Sequence, residues 1–257
     1  MTIALLRYVS PEVRAELIPK AEFLAFEQMI HSAEPDMRII WFRGLRGLAE
    51  THEARAHIKD LLNGKLAVPG VELRPLDRWN MVTSLVALND PDAGAILAAE
   101  SQRDPSGDSR KYAYVAAAAR PDAAAKKQYF DGYLHDASRP EDWVEQSLGP
   151  FNSWNQEDLT LPYLRPALAA LSQVKRDRKI FFVLGWLNAF IGGQQSVAAQ
   201  SQVREFLQSP VLDKDLKLKI LEVSDELDRT VRIKEKFLRK GSEKRSSYGL
   251  HHFGAGE

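Results

Sequence analysis

Leu216, Ile220, Val223, Leu227 and Val231 follow one another at steps of four, three, four and four. That spacing lays side chains along one stripe of an α-helix, because 3.6 residues complete a turn. The same period sets Phe23, Phe26 and Ile30 on one face and Ile39, Phe42 and Leu45 on another, whereas the alternation of a half-buried strand is almost missing. The reading is an all-α chain with helices near 20–32, 35–49, 52–63, 76–88, 91–103, 107–119, 121–135, 140–148, 155–172, 178–191, 196–208 and 213–239. The one extended candidate, LAVPGVEL from Leu66 to Leu73, is interrupted by Pro69 and Gly70 and reads as a connecting loop.

Prolines organise the helices. Pro75 and Pro105 stand thirty residues apart, as do Pro91 and Pro121, each ahead of a helix-forming segment with an acidic residue in its first turn. Proline suits that turn because its absent N–H would be unpaired there anyway. NDPDAGAILAAE from Asn89 and RPDAAAKKQYF from Arg120 then read as two copies of one turn that opens a helix, the mark of stacked helical hairpins. Between them YAYVAAAAR, Tyr112 to Arg120, offers small side chains that let helix axes approach closely. The architecture expected is a superhelix of antiparallel helix pairs over residues 1–240, with a polar Gly- and Ser-containing tail over 241–257.

Composition narrows the function classes. The chain has 257 residues, 44% of them hydrophobic, with 35 basic and 35 acidic side chains and no cysteine. It carries no global field to gather nucleic acid or an anionic membrane surface, and no thiolate nucleophile, disulfide or cysteine-based zinc site. The amino end has four consecutive apolar residues before Arg7, too few for a secretory signal. The longest apolar run, IFFVLGWLNAFIGG from Ile180, is shorter than the roughly twenty residues a bilayer requires. It reads as a helix covered by its neighbours in a cytoplasmic protein.

Chemical motifs are few. HEARAH, His52 to His57, looks like a metallopeptidase zinc signature, but that signature places its histidines four apart, about 400° around a helix, on one face. A spacing of five turns the helix by roughly 500° and parts the rings. The remaining histidines, His31, His135, His251 and His252, form no chelating helical pair, and Asp90/Asp92 and Glu141/Asp142 sit where helix dipoles favour negative charge. The catalytic and metal-ligand sets are therefore read as empty. QVKRDRKIFF gathers Lys175, Arg176, Arg178 and Lys179 at a junction between helices. Such a run is either a solvated helix end or an anion site for a substrate carboxylate or a facing acidic surface.

Several segments carry a likeness: DRWNMVTSLVALNDPDAGAILAAE from Asp77, RKYAYVAAAARPDAAAK from Arg110, RPEDWVEQSLGPFN from Arg139, and VKRDRKIFFVLGWLNAFIGGQQS with LDKDLKLKILEVSDELDRTVRI between Val174 and Ile233. Together with PDMRIIWFRGLRGLAETHEA and LAVPGVEL upstream, they resemble the carboxy-terminal helical domain of bacterial M1-family zinc aminopeptidases over roughly residues 10–239. The resemblance implies a HEAT-like bowl that closes over a catalytic domain and lines the chamber holding the distal part of a peptide. Zinc and the catalytic residues would belong to that other domain, through H-E-x-x-H and G-x-M-E-N motifs that this sequence lacks. Its expected partners are the catalytic domain of the same polypeptide and a peptide substrate, with no nucleic acid and no membrane, and the chain alone is expected to hold no cofactor and cleave nothing.

The alternative is a stand-alone helical-repeat scaffold that binds a protein or peptide. A stand-alone repeat protein needs a polar end cap, and MTIALLRYV, with Ile3, Leu5, Leu6, Tyr8 and Val9, reads instead as a surface that meets a neighbouring domain.

Overall fold

The computed structural model describes residues 3–210 and 212–249. They form a π-helical turn, Ala4–Tyr8, and thirteen helices: α1 Pro11–His31, α2 Pro35–Leu48, α3 His52–Leu62, α4 Pro75–Ala87, α5 Ala93–Arg103, α6 Ser109–Ala117, α7 Ala123–His135, α8 Glu141–Phe151, α9 Glu157–Ala169, α10 Leu171–Asp177, α11 Ile180–Phe190, α12 Val197–Leu207 and α13 Lys214–Gly249. No strand occurs among the described residues, and the all-α reading holds.

The helices stack in two rows. In the central row α2, α4, α6, α8, α11 and α13 each touch the next, while α1, α3, α5, α7, α9 and α12 flank them and pack on central neighbours. The turns at Asn89 and Arg120 occupy equivalent places, each leading from a central helix to the flanking helix that follows. At the first, Asn89 takes a left-handed φ of 52°, which Asn tolerates, and the Asp90 N–H closes on the Leu85 carbonyl at 3.0 Å to finish α4. At the second, the Asp122 carboxylate accepts from the Ala125 N–H at 2.7 Å and caps α7. The small residues of this segment are buried where it packs: Ala116 on α6 and Ala119 just beyond it are fully buried, and α6 packs on both α4 and α8.

Two of the expected elements differ at their ends, and in place of one helix over 155–172 the chain forms α9 and a separate α10 that meet at Ala170. α1 begins at Pro11 rather than near residue 20, because Ser10 accepts from the Val13 N–H and Pro11 opens the first turn, while Pro19 lies inside the helix. Its buried stripe is Ile18, Ala21, Ala25 and Met29; Phe23, from the apolar set read in sequence, is 66% exposed. α13 continues through Gly249, past the expected end near 239, and residues 250–257 of the polar tail lie outside the described residues.

The opening segment is a correction. Leu5 and Leu6 do not form an outward apolar surface. They are buried in a cluster with Ile18, Ala21 and Leu48, against Leu17 and Trp154. Tyr8 donates to Glu226 at 2.5 Å and Arg7 reaches the carbonyls of Gly192 and Gln194. The first turn thus docks on α13 and the loop after α11, and the two ends of the array meet.

Side-chain donors finish the helices. Asn155 and Gln156 donate to the Ala87 carbonyl at the end of α4, both at 2.9 Å. Gln156 also reaches Ala119 beyond α6 at 2.8 Å. Arg78 serves Leu62 at the end of α3 at 2.9 Å, and Arg38 serves Ser32 after α1 at 2.6 Å. Each contact satisfies a carbonyl that a helix terminus leaves without an internal partner.

Candidate functional site

The four cations of the basic run do not converge on one point. Lys175 is tied to Asp213 at 3.1 Å and Asp215 at 3.3 Å, which fastens α10 to the start of α13. The bond to Asp213 holds the lysine up and the Asp213 carboxyl below its ordinary range, while Asp215 is held down first by Lys219 and then by Lys175. Arg178 ends α10 with an extended backbone, donates to the Tyr133 carbonyl at 3.3 Å and lies over the Phe182 ring. It borders a 250 Å³ cleft between α7 and α10 with His135 and Gln173. Arg176 pairs with its neighbour Asp177 at 3.1 Å and remains 70% exposed, and Lys179 is exposed at the start of α11.

The HEARAH segment does open a helix, capped by Thr51, and the five-residue spacing separates its histidines as expected. His57 stacks on Phe26 with centroids 3.9 Å apart and planes at 16°, while His52 is exposed. No group of three His, Cys, Asp or Glu able to hold a metal ion occurs among the described residues. His52 and His57, so parted, do not present a shared pair of ligands. The acidic pairs cap and brace: Asp90, 5% exposed, accepts from the Asp92 N–H and faces Arg55 and Lys59 at 3.7 and 3.4 Å.

Two features escaped the sequence reading. Lys126 on α7 is fully buried with no carboxylate partner. Its Nζ donates to Ala118 at 2.9 Å and Phe151 at 2.6 Å, the carboxyl ends of α6 and α8, and sits 4.8 Å from the Phe151 ring centroid. Burial lowers its pKa to about 7. The second is a cleft of 320 Å³ where the carboxyl ends of α2, α4 and α8 face the loop 152–155. Arg46, Ser84, Asn152 and Trp154 line it beside Leu48 and Pro150. The Arg46 Nε and the Asn152 Oδ1 are buried there without hydrogen-bond partners. No local motif announces either site, since each is assembled from helices far apart in sequence.

Large apolar side chains also remain exposed on the amino-terminal halves of central-row helices: Met37 and Ile40 on α2, Leu76 on α4, Phe181 and Leu184 on α11, Leu218 and Leu221 on α13. No helix among the described residues is long and apolar enough to cross a membrane.

No family model matches the chain. Over 177 residues, 68% of its length, it is 27% identical to aminopeptidase N of Streptomyces lividans. It spans a fifth of the length of that relative. Sequence and fold agree: the chain is similar to part of an aminopeptidase N, and its helical superhelix resembles the carboxy-terminal domain of bacterial M1-family aminopeptidases.

Proposed function

We propose that this chain is a non-catalytic helical domain of an M1-type zinc aminopeptidase, which encloses the active-site chamber and shapes the access of peptides to it. The observation that carries the reading is the match to an aminopeptidase N along a stretch that folds as a closed helical array. The peptidase chemistry, and the zinc, belong to a catalytic domain of the same polypeptide in the cytoplasm. What this domain supplies is a wall. The apolar side chains exposed on α2, α4, α11 and α13 face that catalytic partner, as exposed apolar side chains do at interfaces. Arg176 and Lys179 meet an acidic surface beside it, held in place by the contacts of Lys175 and Arg178.

The wall acts by exclusion, keeping water and large folded substrates from the peptide while it is cut. The test is the native polypeptide that carries this segment. An immunoblot with antibody to the purified chain is expected to show a band several times heavier than 29.0 kDa. Peptidase activity that co-purifies with it should lose discrimination between short and long peptides when Phe181 and Leu184 are replaced by serine. A band at the size of the chain alone, with no aminopeptidase activity, would establish the stand-alone scaffold instead.

A further inference from the structure

Arg46 is an arginine drawn away from solvent without a hydrogen bond or close ion pair; the Asp77 carboxylate attracts it only from beyond contact distance. Arg78, also half-buried, grips Glu100 with two nitrogens at 2.9 and 2.7 Å, whereas the buried Arg55 Nε makes no hydrogen bond but has a carboxylate, Asp90, at 3.7 Å. Arg46 makes no hydrogen bond or ion pair, and its Nε is buried. Burial pulls its pKa below the ordinary arginine value. Its place in the last turn of α2 suits a cation, but this accounts neither for the cleft around it nor for the second orphan. Asn152, 5% exposed, lines the same cleft, spends its Nδ2 on the Leu148 carbonyl at 3.0 Å and leaves its Oδ1 buried and unpaired. A buried polar group without a partner is costly, and two in one cleft call for a ligand that satisfies both.

A fork of N–H donors is complemented by a carboxylate. A lone amide oxygen is complemented by an N–H, and Leu48, Leu88, Pro150 and Trp154 offer an apolar wall beside them. An amino-acid residue of a peptide carries all three groups together. We propose that the cleft between α2, α4 and α8 is a carboxylate-binding site for a peptide, in which Arg46 takes the carboxylate and Asn152 accepts the adjoining amide N–H. The carboxylate is either the peptide's terminus or an Asp or Glu side chain. The choice of peptide as ligand rests on the aminopeptidase reading; the site itself rests on the two orphaned groups.

The experiment titrates the 257-residue chain by calorimetry with three probes: acetyl-Ala-Ala-Ala as the free acid, the same peptide as its amide, and acetyl-Ala-Glu-Ala amide. One of the carboxylates is expected to bind about tenfold or more tightly than the plain amide, and whichever it is identifies the source. Arg46→Gln should weaken that binding by about tenfold to a hundredfold, and Arg46→Lys by less, because it keeps the charge and loses the fork. In the wild-type chain the Arg46 Nε–H resonance should shift on titration, a readout that survives if a variant does not fold. Equal binding of all three probes, or a folded Arg46→Gln chain that binds as before, overturns the proposal. Because no peptidase is present in the assay, this failure is separate from failure of the aminopeptidase reading.

Discussion

Replacing Lys126 with methionine tests how a folded chain tolerates an amine with no counter-ion. The side chain is fully buried, its pKa is about 7 against the ordinary 10.5, and its hydrogen-bond acceptors are two uncharged carbonyls. The folded state therefore binds the proton more weakly than the unfolded state does. Stability contributed by this group is complete above about pH 10.5 and is lost as pH falls toward 7, because the unfolded chain takes up a proton that the folded chain resists. With those two pKa values the linkage relation gives a gain of about 3 kcal/mol between pH 7 and pH 9.5.

Methionine removes the titration and leaves the Ala118 and Phe151 carbonyls without donors, a cost of about 1–3 kcal/mol each that does not depend on pH. The two effects separate by slope. Urea unfolding of both proteins at pH 7, 8 and 9.5 should show the wild type gaining on Lys126→Met as pH rises, with equal m-values. Tyr129 and Tyr133, whose phenols burial pushes upward, are present in both proteins and cancel in the difference. A flat difference would refute the reasoning. It would mean that the carboxyl ends of α6 and α8, whose dipoles favour a cation, keep the ammonium charged inside the core.

Four further outcomes are expected. Tyr8→Phe removes the hydrogen bond to Glu226 that also raises the phenol's pKa, and should lower stability by about 1 kcal/mol in urea. Gln156→Ala leaves the shared carbonyls of Ala87 and Ala119 short of a donor and should cost roughly 2 kcal/mol by the same assay. Gly193→Ala would place a Cβ 2.8 Å from the Asn152 Cβ; a loss of about 1–3 kcal/mol, read as a lowered melting temperature, is the expected result of overpacking. Glu22→Ala deprives the Glu50 and Thr51 N–H groups of their acceptor and should lower stability by about 1–3 kcal/mol in urea.

What the sequence disclosed depended on whether the cause was local. The stripe Leu216 to Val231 was legible because burial follows helix period alone, and all five residues are buried. The five-residue spacing of HEARAH was decisive for the same reason. α1 extends nine residues ahead of the expected start, because the Ser10 cap and Pro11 open it and Pro19 is carried inside the helix. The four cations looked free because the carboxylates that hold Lys175 lie 38 residues onward, at Asp213 and beyond. Arg46, Lys126 and Gln156 gave no signal at all. Their meaning comes from carbonyls, or the want of them, on helices that only the fold brings near.

Closure of the array also changes how the molecule should come apart. An open solenoid frays from its ends, one repeat at a time, because each unit depends only on its neighbours. Here Arg7 and Tyr8 bind the last helix and the loop before α12, while Gln156 joins the ends of α4 and α6 to a loop after α8. Unfolding one repeat would strip donors from several others. With the first turn tied to the last helix in this way, the helices are expected to exchange their amide protons together, in a single cooperative opening.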